Sequence, residues 1–212
     1  MSMALDQKAL QKKRAKREMK RKQARQGASG QSGVLSKARE WAAAVRAPIA
    51  DVLVPSSLFE AGIGTVWISR LLPDGRYALA GILVDTYCLG VKNALFKIFE
   101  GAEYPAFLDK IQDGPVGELV RQEPAYARKL VEDAAAYARN LGFEPHPDYR
   151  IAGLIFGDID PAECPVDFTF GMNGRPMYIE GPDDNPAMQR RILKQLGQAA
   201  LRQADAGVDQ IS

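Results

Sequence analysis

The sequence predicts an α+β domain, with a mainly antiparallel sheet built from hairpins packed with helices, behind a strongly basic N-terminal arm. Two β-rich runs, residues 64–72 and 76–84, flank Pro73-Asp74-Gly75, a tripeptide suited to a tight reversal. Residues 124–142 carry the apolar spacing of an amphipathic helix. A further pair of runs, residues 166–170 and 176–180, flanks Gly171-Met172-Asn173-Gly174 and predicts a second hairpin.

The arm comes first. Residues 1–26 hold ten cations, Lys8, Lys12, Lys13, Arg14, Lys16, Arg17, Lys20, Arg21, Lys22 and Arg25, against Asp6 and Glu18. That net of +8 leaves 18 basic and 24 acidic side chains, or −6, for residues 27–212 of a chain whose total is only +2. Cations at this density repel one another, so the arm is expected to be disordered alone and able to become helical on a polyanion. Residues 27–33, Gly-Ala-Ser-Gly-Gln-Ser-Gly, have the composition of a flexible linker, and residues 34–212 are read as a single domain.

Ser36 is positioned to cap a short helix reaching about Ala47, stopped by Pro48. After the first hairpin, Val91, Leu95, Ile98 and Phe99 have helical spacing, so Cys88-Leu89-Gly90 is expected to lead from a strand into a helix. Pro124 opens the long helix at its favoured first turn and Gly142 closes it. Residues 149–157 read as a buried strand. Asn185 before Pro186 caps a last helix, whose face is Met188, Ile192, Leu193, Leu196 and Ala200.

Several function classes are disfavoured by composition. No uncharged apolar run approaches the roughly 20 residues that cross a bilayer. The basic start is not followed by an apolar segment, which argues against a secretory signal. Cys88 and Cys164 lie far apart and are expected as reduced thiols in the cytoplasm. With His146 the only histidine, a zinc site of several Cys and His ligands is not expected.

Three places carry residue types capable of chemistry. Asp85, Cys88 and Lys92 bring an acid, a thiol and a cation to one short segment; at a helix N-terminus the thiol would be activated, but a small buried core residue is the simpler reading of Cys88. Asp158, Asp160 and Glu163 follow an expected strand and, with Asp183 and Asp184, could hold Mg2+ for phosphodiester hydrolysis; turn and cap chemistry is their ordinary explanation. His146, between Pro145 and Pro147, sits in a stiff extended loop.

Gly62-Ile-Gly-Thr-Val-Trp-Ile-Ser-Arg70, Leu83-Val-Asp-Thr-Tyr-Cys-Leu-Gly-Val-Lys92 and Phe168-Thr-Phe-Gly-Met-Asn-Gly-Arg-Pro-Met-Tyr-Ile-Glu-Gly-Pro-Asp183 resemble motifs of an uncharacterised bacterial protein family. The resemblance spans roughly residues 55–195. It implies a bacterial cytoplasmic protein and carries over no catalytic residues.

The leading expectation is a nucleic-acid-associated binding protein, with RNA or the ribosome ahead of DNA. Lys12, Lys13, Arg14, Lys16, Arg17, Lys20, Arg21, Lys22 and Arg25 would contact phosphates, without a cofactor or a membrane. The arm lacks interleaved aromatics, so backbone contacts are expected in place of base stacking. Two alternatives stand beside it: a Mg2+-dependent hydrolase or nuclease using Asp158, Asp160 and Asp85, and a module that binds a protein partner.

Overall fold

In the computed structural model the described residues are 41, 44–113, 117–181 and 184–208, with side chains described as far as Leu201. The arm, the linker and Ser36 lie outside them. Residues 43–212 make up one compact unit, and the sheet with its helices lies in it.

Five strands form one antiparallel sheet in the order β4-β3-β2-β1-β5: β1 (Ile49–Pro55), β2 (Ile63–Leu71), β3 (Tyr77–Asp85), β4 (Gly90–Phe99) and β5 (Leu119–Arg121). The described helices are α1 (Leu58–Ala61), α2 (Tyr104–Gln112), α3 (Pro124–Asn140), α4 (Tyr149–Ala152) and α5 (Pro186–Val208), so the α+β class holds. The first hairpin turns as its tripeptide dictates. Gly75 adopts φ +82°, its N–H reaches the Leu72 carbonyl, and Asp74 accepts the Arg76 amide.

Pairing fixes which side chains share a face. Val66, Ile68 and Arg70 of β2 stand beside Ala78, Ala80, Ile82 and Val84 of β3, and all are buried. Helix α3 lies across strands β1 to β4 and presents a run of small residues, Ala127, Ala134, Ala135 and Ala138, around the fully buried Leu130. Small residues allow close approach, and burying a side chain such as Leu130 contributes about 2 kcal/mol. On the opposite face Tyr104 and Phe107 of α2 pack against Leu79, Phe99 and Trp67.

Three expectations about elements are overturned. Residues 91–99 form strand β4 instead of a helix. Their spacing fits both periods, and pairing with β3 decides, leaving Leu95, expected on a buried helical stripe, 46% exposed. Residues 149–157 form α4 and a 3-10 turn, Gly153–Phe156, instead of a strand. Local bonds such as Tyr149 N–H to the His146 carbonyl satisfy the start, while Arg70 donates to the carbonyls of Ile155 at 2.7 Å and Phe156 at 2.9 Å. Residues 166–180 make the expected turn, with Gly171, Asn173 and Gly174 at positive φ, but its flanks join only through an isolated Met172–Arg175 bridge. They bond elsewhere instead: Gly171 N–H to the Thr86 carbonyl and Met177 N–H to the Tyr87 carbonyl. The final helix begins as expected, with Asn185 Oδ1 accepting from Ala187 and Met188 at 3.0 Å.

Gly90 combines two constraints. Its φ is +64°, and a Cβ there would stand 2.6 Å from Ala138 Cβ and 2.7 Å from the Ala134 carbonyl oxygen. Gly90→Ala is expected to cost about 2–4 kcal/mol in urea unfolding, from backbone strain plus overpacking. A loss under about 1 kcal/mol would show that α3 retreats freely from the sheet.

Candidate functional site

The β3–β4 connection is built on Asp85, whose Oδ1 accepts the amides of Tyr87 and Cys88 at 2.9 Å and of Leu89 at 3.3 Å. Burial pushes its carboxyl pKa up, against the pull of those amides and of Lys92. Asp85 is thus a turn-holding residue. The turn leads into a strand, so no helix N-terminus adjoins Cys88.

Cys88 is fully buried and packs with Leu89, Leu141, Ile192 and Ala199. Burial, with Asp85 acting the same way, pushes its thiol pKa far above the ordinary value, the reverse of what a nucleophile needs. The nearest cation is already engaged. Lys92 Nζ donates to Asp184 Oδ2 at 3.2 Å, an oxygen that also accepts from Tyr178 Oη and Gly181 N–H at 2.8 Å. Burial works to raise the Asp184 pKa, but those donors more than offset it and hold the carboxyl below its usual range. Burial and Asp184 push the Tyr178 phenol up to about 12, so it donates at neutral pH.

Two of the sequence motifs therefore meet in space. Lys92 from the first clasps Asp184, next to the second, across 92 positions of chain, while Thr86 and Tyr87 carbonyls bind the second motif's backbone. Asp183 lies outside the described residues. Among the described residues the buried Thr86 hydroxyl has no hydrogen-bond partner in this junction.

The other expected residues do not join this cluster. His146 donates its amide to the Val91 carbonyl at 2.9 Å, and its Nδ1 accepts the Asp148 amide at 3.3 Å, a turn-forming role. Asp160 Oδ1 caps the 3-10 turn Pro161–Glu163 by accepting Ala162 N–H at 2.9 Å. Asp158 is exposed at the rim of a cleft of about 680 Å3 between Arg46, Arg128 and Leu154. Arg128 spends its guanidinium there on the Gly157 and Ile159 carbonyls and on Glu132. No group of three His, Cys, Asp or Glu is placed to hold a metal among the described residues. No helix among them is long and apolar enough to cross a membrane.

Sequence reasoning missed a second buried polar group on the opposite sheet face. Tyr104 Oη donates to Asp51 Oδ2 at 2.8 Å and lies 2.5 Å from Ser69 Oγ, which accepts the Asp51 amide at 3.1 Å. Arg121 of β5 pairs with the other Asp51 oxygen. Burial and Asp51 raise the Tyr104 pKa, so this phenol too stays protonated. Only the out-of-pattern polarity of Asp51 and Ser69 inside apolar strands signals it. The nine arm cations named for phosphate contact lie outside the described residues.

Comparison with models of protein families, with curated proteins and with solved structures finds no match to this chain.

An acid whose pKa is lower folded than unfolded contributes stability that is complete above the unfolded value and lost as pH falls through the folded one. Asp184→Asn is therefore expected to cost about 2 kcal/mol near neutrality. The cost shrinks as acid titrates the parent carboxylate, so urea midpoints of parent and variant converge on descent to strongly acidic pH. Parallel curves would show that the Asp184 charge does not secure the segment. Iodoacetamide at neutral pH is expected to leave Cys88 unmodified in the folded protein and to alkylate it in urea. Rapid native-state alkylation, read by mass spectrometry, would restore the nucleophile reading.

Proposed function

We propose that this is a nucleic-acid-associated binding protein of the bacterial cytoplasm, with RNA or the ribosome as its partner and the basic arm as its phosphate contact. One observation carries the reading: ten Lys and Arg against two acids in residues 1–26, joined to a body that is net acidic. Such density is used to neutralise phosphates and release their counterions, a term that needs no base recognition. The Gly/Ser-rich linker supports it, because a tethered arm can follow an irregular phosphate path. The two unbridged cysteines support a reducing compartment.

Three of the groups that a catalytic reading would enlist are otherwise engaged, while Asp158 stands exposed at its cleft. Asp85 holds its turn, Asp160 its cap, and Lys92 is committed to Asp184. These engagements support association as the reading for the arm-bearing chain.

The test compares the parent with a full-length variant carrying Gln at Lys12, Lys13, Arg14, Lys16, Arg17, Lys20, Arg21, Lys22 and Arg25. Binding to ribosomes, single-stranded RNA and duplex DNA is followed across a salt series. If the arm neutralises about five phosphates, the log–log slopes of parent and variant differ by roughly 3.5 to 4.5. Equal affinities and slopes would overturn the proposal, and preference among the three ligands identifies the partner.

A further inference from the structure

The body's own cations are unequally spent. Arg76, Lys92, Arg121, Arg128, Lys129 and Arg139 are paired with carboxylates. Arg70 is buried against three carbonyls. Helix α5 differs. Residues 185–204 contain Arg190, Arg191, Lys194 and Arg202 and not one Asp or Glu, and without that run the rest of residues 27–212 would be −10. Arg190, Arg191 and Lys194 are exposed and, among the described residues, none has an ion-pair partner.

Their placement is set by the fold. Ile192 and Ala199 are buried and Leu196 packs beside them against Cys88 and Leu141, so this side of α5 faces the core. Arg190 and Lys194 are one turn apart and project from the opposite side, with Arg191 flanking them. Of the described acids just before the helix, Asp184 is occupied by Lys92 and Tyr178, and Glu180 by the Gln189 amide. On α3, by contrast, cations are neutralised within the helix, Arg128 by Glu132 and Lys129 by Asp133. A solvent-facing helix ordinarily intersperses signs as α3 does. A helix that does not, on an acidic body, keeps an attractive field for anions.

We propose that α5 is a second phosphate-binding surface of the protein, in which Arg190, Arg191 and Lys194 contact the backbone of the same RNA that the arm engages. The choice of RNA rests on the function proposed above, whereas the surface itself rests on the pattern of α5. An anionic membrane is the less fitting partner. Insertion of a basic helix needs an apolar face free to enter lipid, and here Ile192, Leu196 and Ala199 are consumed by the core. Leu193 and Leu201 are exposed on one flank, two turns apart with only Gly197 and Ala200 between them, and offer lipid no more than a narrow strip.

The test uses three full-length variants: Arg190→Gln with Arg191→Gln and Lys194→Gln; the arm variant described above; and a control with Gln at Arg46, Lys110 and Arg150. The control removes the same charge from exposed cations elsewhere on the body. Each binds a labelled single-stranded RNA and ribosomes from about 50 to 200 mM salt, with unchanged circular dichroism as the folding criterion. Expected is a fall in affinity for the α5 variant, with a slope shallower by about 2 to 3, while the control stays near the parent. If the α5 variant matches the control, the second surface is refuted while the arm proposal stands or falls on its own variant. If only the α5 variant loses binding, the arm reading fails, α5 stands as a phosphate surface, and the claim that the two share one RNA is overturned. If full-length protein binds phosphatidylserine vesicles through these three residues and ignores RNA, the surface is a membrane contact and the proposal is overturned.

Discussion

One carboxylate oxygen organises the molecule. Asp85 Oδ1 gathers three consecutive amides and turns the chain back on itself, so that residues 90–99 pair with β3. The reversal leaves the carbonyls of Thr86 and Tyr87 facing outward, where the amides of Gly171 and Met177 find them. It also sets Lys92 on the strand that Asp184 reaches. Without this turn, neither the fourth strand nor the docking of the C-terminal segment has a frame. The cost is a buried acid, offset by amides whose own burial would otherwise leave them unpaired.

Arginine plays a related part where backbone pairing is missing. The segment after α4 makes no strand, and buried carbonyls need donors. Arg70 supplies three bonds from the sheet side, to Ala47, Ile155 and Phe156, while Arg128 supplies two from α3, to Gly157 and Ile159. A planar guanidinium suits the task because its five donors are fixed in a fork. Burial lowers the Arg70 pKa and Asp158 opposes the shift, but an arginine remains charged throughout the physiological range.

Much of this was legible in sequence. Pro73-Asp74-Gly75 fixed the first hairpin, and Pro124, the apolar stripe and Asn185 located the two long helices. Those signals are local, since turn and cap chemistry is complete within a few residues. Residues 91–99 and 149–157 were misread because short apolar runs fit two periods and only tertiary partners choose between them. β1 and β5 went unrecognised: Pro48 and Pro55 bracket the first and Asp113-Gly114-Pro115 precedes the second, but neither run has a hairpin partner next to it in sequence. At the candidate site, Asp85 and Lys92 were visible as residue types. Asp85 serves amides two to four residues on, but the partner of Lys92 was not legible, because Asp184 lies 92 positions away and no local rule brings it back.

The order of the strands has a bearing on self-association. An open sheet offers two rows of unpaired backbone groups to any passing strand. Here one border, β5, is only three residues long and ends in Arg121, whose side chain is 71% exposed. At the other, the Val91 carbonyl is taken by the His146 amide, and Lys97 stands over Phe99 farther along β4. The loop that holds the sole histidine thus doubles as a guard against runaway strand addition along this border.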